Sequence, residues 1–221
     1  AFEFETQPGP HFFQPDQLRL CRGISSLVIL AGCTVEIIRR WQADGTASWL
    51  LCESPGGAPH GPLYFWTYAF YVIKFFEYGD TVLVLLRRAR VVHLNLQIYH
   101  HAFVPVMIWS WLQHHMSLQF IGVLSNSFVH VLMYAYYALS VLKVPVPANW
   151  KRQLTCLQIA QFSLMLPFGI AFVGKEMMGC NCAGVWTALV SLAFNLTLLQ
   201  LFCKVSDQSS SHSAVPMVPP Q

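Results

Sequence analysis

Six apolar stretches divide this chain, at about 23–41, 62–86, 91–112, 116–142, 153–174 and 184–203. Each is close to the roughly 20 residues a helix needs to cross the hydrocarbon core of a bilayer. The sequence therefore predicts an all-α, polytopic membrane helix bundle. Composition agrees, since 55% of residues are hydrophobic and only 10% are charged, against about 25% charged in soluble domains. A net charge of +3 with no basic stripe among aromatics excludes a nucleic-acid partner.

Outside the apolar stretches the chain is polar. Residues 1–22 read as a lead-in, 23–205 as one membrane domain, and 206–221, rich in Ser and Pro, as a disordered tail. The chain starts with Ala and not Met, and an incomplete N-terminus is expected. Arg19, Arg22, Arg87, Arg88, Arg90, Lys143, Lys151, Arg152 and Lys204 fall on one side, and Arg39, Arg40 and Lys175 on the other. The positive-inside rule makes the first side cytosolic, together with both visible ends. Cys52, Cys180 and Cys182 then lie in loops on the opposite side. If that side is oxidising, Cys52 pairs with one of the other two; otherwise all three are free thiols. Asn195-Leu-Thr197 matches a glycosylation acceptor but sits within a span, out of the transferase's reach.

Polar residues inside the spans recur at helical spacing. Positions three and four apart share a helix face. Lys74, Glu77 and Thr81 form one stripe, with Asp80 beside it; Gln97 and His101 form another, with His100 adjacent. Asn126, His130, Met133, Tyr134 and Tyr137 form a third, and Thr155, Gln158 and Gln161 a fourth. None can face acyl chains cheaply, so the four stripes are expected to converge on one lumen. Interhelical hydrogen bonding alone would account for the fourth stripe, and a structural ion pair for Lys74 with Glu77. Two adjacent histidines with a third on another interior stripe are harder to explain as packing.

Neutral imidazoles serve as nucleophiles, general bases or metal ligands. Gln97-x-x-His100-His101 matches the last histidine box of some membrane di-iron desaturases. However, the chain's nine histidines include no His-x-x-x-His pair, and several lie in loops and tails. Gln is a poor ligand, and Lys74 neutralises the neighbouring carboxylates, so no metal site is expected. Metal-free covalent or acid–base catalysis remains, with a lipid-binding transporter or receptor as the non-enzymatic alternative.

Lys74-Phe-Phe-Glu77-Tyr-Gly-Asp80-Thr81, His100-His101, Asn126-Ser-Phe-Val-His130-Val-Leu-Met133-Tyr134-Ala-Tyr136-Tyr137 and Thr155-Cys-Leu-Gln158-Ile-Ala-Gln161 occur in this order. Over residues 62–205 the chain thereby resembles the ELO family, the condensing enzymes of very-long-chain fatty acid elongation. The resemblance implies seven spans, of which six helices, those visible here, enclose an acyl tunnel. It implies a 3-ketoacyl-CoA synthase of the endoplasmic reticulum membrane, with long-chain acyl-CoA as substrate, malonyl-CoA as co-substrate and no bound cofactor. Membrane lipid, a ketoacyl-CoA reductase, a hydroxyacyl-CoA dehydratase and an enoyl-CoA reductase are the implied partners, and a homo-oligomer stays open. His100 is the expected nucleophile, with His130 handling protons or holding the acyl group. His101 and Gln97 orient the nucleophile, and Lys74, set by Glu77 and Asp80, meets a malonyl carboxylate or CoA phosphate. Thr81, Asn126, Met133, Tyr134, Tyr137, Gln158 and Gln161 complete the expected support. Gln97 departs from the family pattern, where this position is usually His. The C-terminal end also lacks the Lys-rich retrieval signal that many members carry.

Overall fold

The computed structural model describes residues 15–56, 61–86, 94–147 and 149–213, without the side chains of 15–18, 80, 83–84 and 208–213. Within these bounds the chain forms α1 (Pro15–Asp44), α2 (Pro62–Leu86), α3 (Leu94–Gln113), α4 (Gln119–Val141), α5 (Trp150–Met177) and α6 (Val185–Ser213). A single 3₁₀ turn, Ser48–Leu50, follows α1, and the described residues contain no strand. Each apolar stretch has become one helix, and Pro105 and Pro167 stay inside α3 and α5.

The helices outrun the polar boundaries read from sequence. α1 begins inside the expected lead-in, and α6 carries residues 206–213 of the expected disordered tail in helical form. Once a helix is nucleated, each added residue gains a hydrogen bond without needing an apolar side chain. Among the described residues, three helices are long and apolar enough to cross a membrane: Arg19–Asp44, Trp150–Met177 and Val185–Asp207, with mean hydropathies of 1.6, 1.7 and 1.7. The other three, α2, α3 and α4, carry Lys74, Glu77, Gln97, the paired histidines, Asn126 and His130.

The helices close into a ring in the order α1, α4, α5, α6, α3, α2 and back to α1. Chain neighbours and space neighbours therefore differ: α4 packs on α1, and α3 packs on α6. Ile29 and Cys33 of α1, Phe70 of α2, Ile108 of α3 and Phe120 and Val123 of α4 form the largest apolar cluster, all almost fully buried. At Gly32 a β-carbon would overlap the Trp66 indole, so glycine lets α2 lie close to α1 there.

One end of the ring is closed by three interlocked connections. Cys52, after α1, is disulfide-bonded to Cys182, between α5 and α6, which resolves the open choice in favour of Cys182 and leaves Cys180 an exposed thiol. The Ala183 amide donates to the Glu53 carbonyl at 2.8 Å, and the Glu53 amide donates to Ser117 Oγ at 2.9 Å. Ser117 Oγ in turn donates to the Ala183 carbonyl at 3.1 Å. Arg40 grips the Glu53 carboxylate with two nitrogens, at 2.6 and 2.8 Å, and lies over the Trp49 ring.

Gly184 completes this closure. Its φ is +72°, and a β-carbon would stand 2.7 Å from Met116 Cα and 2.9 Å from the His114 carbonyl. Gly184→Ala is expected to cost about 1–2 kcal/mol for the left-handed backbone alone, with the steric overlap adding to it. Thermal unfolding in detergent should show a lowered midpoint; an unchanged midpoint would mean that the loops adjust freely.

Candidate active site

Lys74, Glu77 and Thr81 lie on one face of α2 by their three- and four-residue spacing, and all are essentially buried, at 2%, 2% and 1% exposure. The Lys74 ammonium donates to both Glu77 oxygens at 2.9 Å and sits 4.7 Å from the centre of the Phe70 ring. Two further helices bring imidazoles to the same carboxylate. His130 Nδ1 on α4 stands 3.3 Å from Glu77 Oε1, and His101 Nδ1 on α3 stands 3.8 Å from Glu77 Oε2. The His130 contact is close but not aligned as a hydrogen bond. One buried carboxylate thus faces three nitrogen groups from three helices, a layout that offsets the cost of taking its charge out of water.

His100 is the neighbour of His101, and a rotation of about 100° per residue turns it to a different side of α3. The two rings meet edge to face, 5.1 Å between centres. His100 opens into a cavity of about 110 Å³ inside the ring, walled by α3, α4, α5 and α6 with Phe70 from α2. The wall is mainly apolar (Val104, Met107, Phe162, Met165, Leu192, Leu198), with Ser125, Asn126, Gln161, Ser191 and Asn195 interspersed. From His100 it extends past Trp111, about 16 Å further along α3, to Met116 and Leu118 at the disulfide-closed end.

The predicted site residues divide into groups. Lys74, Glu77, His101 and His130 form the carboxylate cluster, and Tyr134 meets His130 edge to face with ring centres 5.7 Å apart. Tyr137 lies next to Tyr134, 6.4 Å away, and beneath Arg19 of α1. Asn126 and Gln161 line the cavity, and Asn126 Oδ1 is buried without a hydrogen-bond partner among the described residues. Thr155 bonds within its own helix, to the Lys151 carbonyl. Met133 and Gln158 are half-buried and lie outside both the cluster and the described cavity wall. The Asp80 side chain, and Arg87, Arg88, Arg90 and His93, lie outside the described residues.

Gln97 needs a correction. Its expected partner is the nucleophile pair, but its Nε2 donates to Thr81 Oγ1 at 3.3 Å, and Thr81 Oγ1 donates to the Glu77 carbonyl at 3.4 Å. Gln97 therefore ties α3 to the turn of α2 that carries Glu77. Its side chain is long enough to pass the histidines and reach the neighbouring helix.

Sequence reasoning overlooked α6. Ser191, Asn195 and Leu198, spaced four and three apart, all face the cavity. Asn195 Nδ2 donates to the Phe162 carbonyl at 2.9 Å, and Trp111 Nε1 donates to Ser191 Oγ at 2.8 Å, joining α3 to α6. That spacing is the signal in the sequence, which the glycosylation match at Asn195 masks.

The family described as ELO: GNS1/SUR4 matches residues 19–208. A provisionally named fatty acid elongase of Dictyostelium discoideum is 37% identical over 86% of this chain and 63% of its own length. The fatty acid elongase sre1 of the same organism is 34% identical over 82% of this chain and 66% of its own length. Very long chain fatty acid elongase 5 of Tachysurus fulvidraco is 28% identical over 88% of this chain and 67% of its own length. The chain thus spans somewhat under two thirds of the first two relatives. No solved structure matches it. With a family match that takes in all six helices, the chain belongs to the ELO family and is a multi-pass membrane helical bundle.

Proposed function

We propose that this protein is a condensing enzyme of fatty acid elongation, joining a long-chain acyl-CoA to malonyl-CoA to give a 3-ketoacyl-CoA, carbon dioxide and CoA. The observation that carries this reading is His100, an imidazole opening into a largely apolar cavity inside the helix ring while its neighbour His101 shares a buried carboxylate with His130. A mainly apolar wall that starts at an imidazole suits an acyl chain with its thioester at the histidine end, and at about 110 Å³ the cavity must widen to take a long one.

In the first step an imidazole nitrogen of His100 attacks the thioester carbonyl. The C–S bond breaks, CoA leaves as the thiol with the imidazole proton, and an acyl-imidazole remains. In the second, malonyl-CoA loses carbon dioxide. The resulting carbanion at C2 attacks the acyl carbonyl and expels the imidazole. His130 handles the proton in this scheme, and the support for it is that Nδ1 faces Glu77 and so leaves Nε2 to accept or return one. The Lys74 ammonium is taken up by both Glu77 oxygens, so its part is to hold that carboxylate against the two imidazoles rather than to meet a malonyl carboxylate or CoA phosphate. The same pairing makes Glu77 a poor metal ligand and disfavours a di-iron oxygenase.

The resemblance to elongases also supports an endoplasmic reticulum location and a working association with the reductase and dehydratase that complete a cycle of extension. Membranes from an elongase-deficient cell expressing this chain, supplied with labelled long-chain acyl-CoA, should yield a 3-ketoacyl product only when malonyl-CoA is added. Absence of that product across a series of acyl lengths, with the protein folded and in the membrane, would sink the reading.

A further inference from the structure

The cavity that begins at His100 ends at a residue belonging to no helix. Met116 lies in the turn between α3 and α4, in the polar run Gln113-His114-His115-Met116-Ser117, yet is only 3% exposed and forms part of the cavity wall. It packs in an apolar cluster with Phe172, Cys182 and Ala188, with Cys52 and Trp111 against it. Three observations hold it there. Ser117, the next residue, is fastened to Glu53 and Ala183 by its hydroxyl, and its amide donates to the Ala183 carbonyl at 3.3 Å. Gly184 lies directly on the Met116 backbone. The Cys52–Cys182 bond ties the two loops that flank this turn.

We propose that Met116 is the floor of the acyl cavity and sets the longest chain the site accepts, and that the Cys52–Cys182 staple is a positioning element that keeps the floor in place. The proposal rests on the condensing-enzyme reading for its substrate. Its geometry, a buried thioether closing an apolar cavity opposite the candidate nucleophile, is independent of the reaction. Methionine is unbranched and flexible, so the residue closes an irregular gap but moves once its backbone is released. Because the loops stay joined by their hydrogen bonds, loss of the disulfide should loosen the floor without removing it.

The test compares wild type with Met116→Ala, Met116→Trp and the double variant Cys52→Ser/Cys182→Ser. Two quantities are read across a series of saturated acyl-CoAs: the longest product formed with malonyl-CoA, and the longest acyl-CoA that raises the unfolding midpoint of the detergent-solubilised protein. Met116→Ala should raise both limits by one round of extension, and Met116→Trp should lower both. The cysteine variant should broaden the limit upward. Unchanged limits in both Met116 variants would overturn the proposal, whatever happens to total activity. A shift in the Met116 variants with none in the cysteine variant would overturn the role given to the staple. If wild type binds acyl-CoA but forms no product, the condensing reading fails, and the midpoint series still decides on the floor.

Discussion

His100→Ala is expected to abolish malonyl-dependent extension, lowering the rate by on the order of 10⁴-fold or more, the scale of loss when a covalent nucleophile is removed. Binding of acyl-CoA should survive, because His100 is one residue in a long apolar wall. His130→Ala should cost less, about 10²–10⁴-fold, as for loss of a positioned acid or base. Gln97→His should be near wild type, since an imidazole N–H can replace the amide donor to Thr81. The measurement that separates these roles is mass spectrometry after incubation with acyl-CoA alone. Wild type and Gln97→His should carry one acyl group on His100, and His100→Ala none. An adduct on His101 or on a cysteine would reassign the nucleophile, and persistence of extension in His100→Ala would remove covalent catalysis at this position.

Why the sequence reveals some of this and not the rest is a matter of range. A helix satisfies its own backbone, so each apolar run identifies one without reference to the others, and the spacing of Lys74, Glu77 and Thr81 on α2 assigns them a common face. The convergence of stripes on one interior follows from the cost of polar groups in lipid. What spacing cannot supply is which helices adjoin. The ring places α1 against α4 and α3 against α6, and neither pair is consecutive in the chain. The partner of Gln97 escapes spacing in another way: α2 and α3 follow one another in the chain, but only their packing shows which faces meet and that Gln97 reaches Thr81. The choice between Cys180 and Cys182 stays open in the sequence for a similar reason, because both are about equally far from Cys52 and only the fold of the α5–α6 connection decides. Met116 reads from sequence as the first residue of the fourth apolar stretch, but α4 starts only at Gln119, and loop packing alone shows that Met116 turns into the cavity wall.

Glu77 offers the second large effect, and one that separates architecture from chemistry. Glu77→Gln leaves the Lys74 ammonium, 2% exposed, without the carboxylate that holds it on two oxygens. Breaking one partner of a buried pair costs roughly 3–5 kcal/mol, so this variant should unfold at a clearly lower temperature in detergent. Replacing both partners by uncharged groups, Lys74→Met with Glu77→Gln, removes the stranded charge. A neutral replacement of a buried pair is commonly harmless to stability, and the unfolding midpoint should recover most of the loss. Activity should not recover with it. His130 and His101 each direct Nδ1 to the Glu77 carboxylate, and an amide in its place offers them a single weaker acceptor, so the orientation and proton affinity of both rings change together. A double variant that is stable but extends acyl chains no better than Glu77→Gln would place Glu77 in the reaction as the group that positions two imidazoles. Recovery of extension along with stability would reduce the Lys74–Glu77 pair to a structural bridge, and the proton-handling role given to His130 would then have to stand without it.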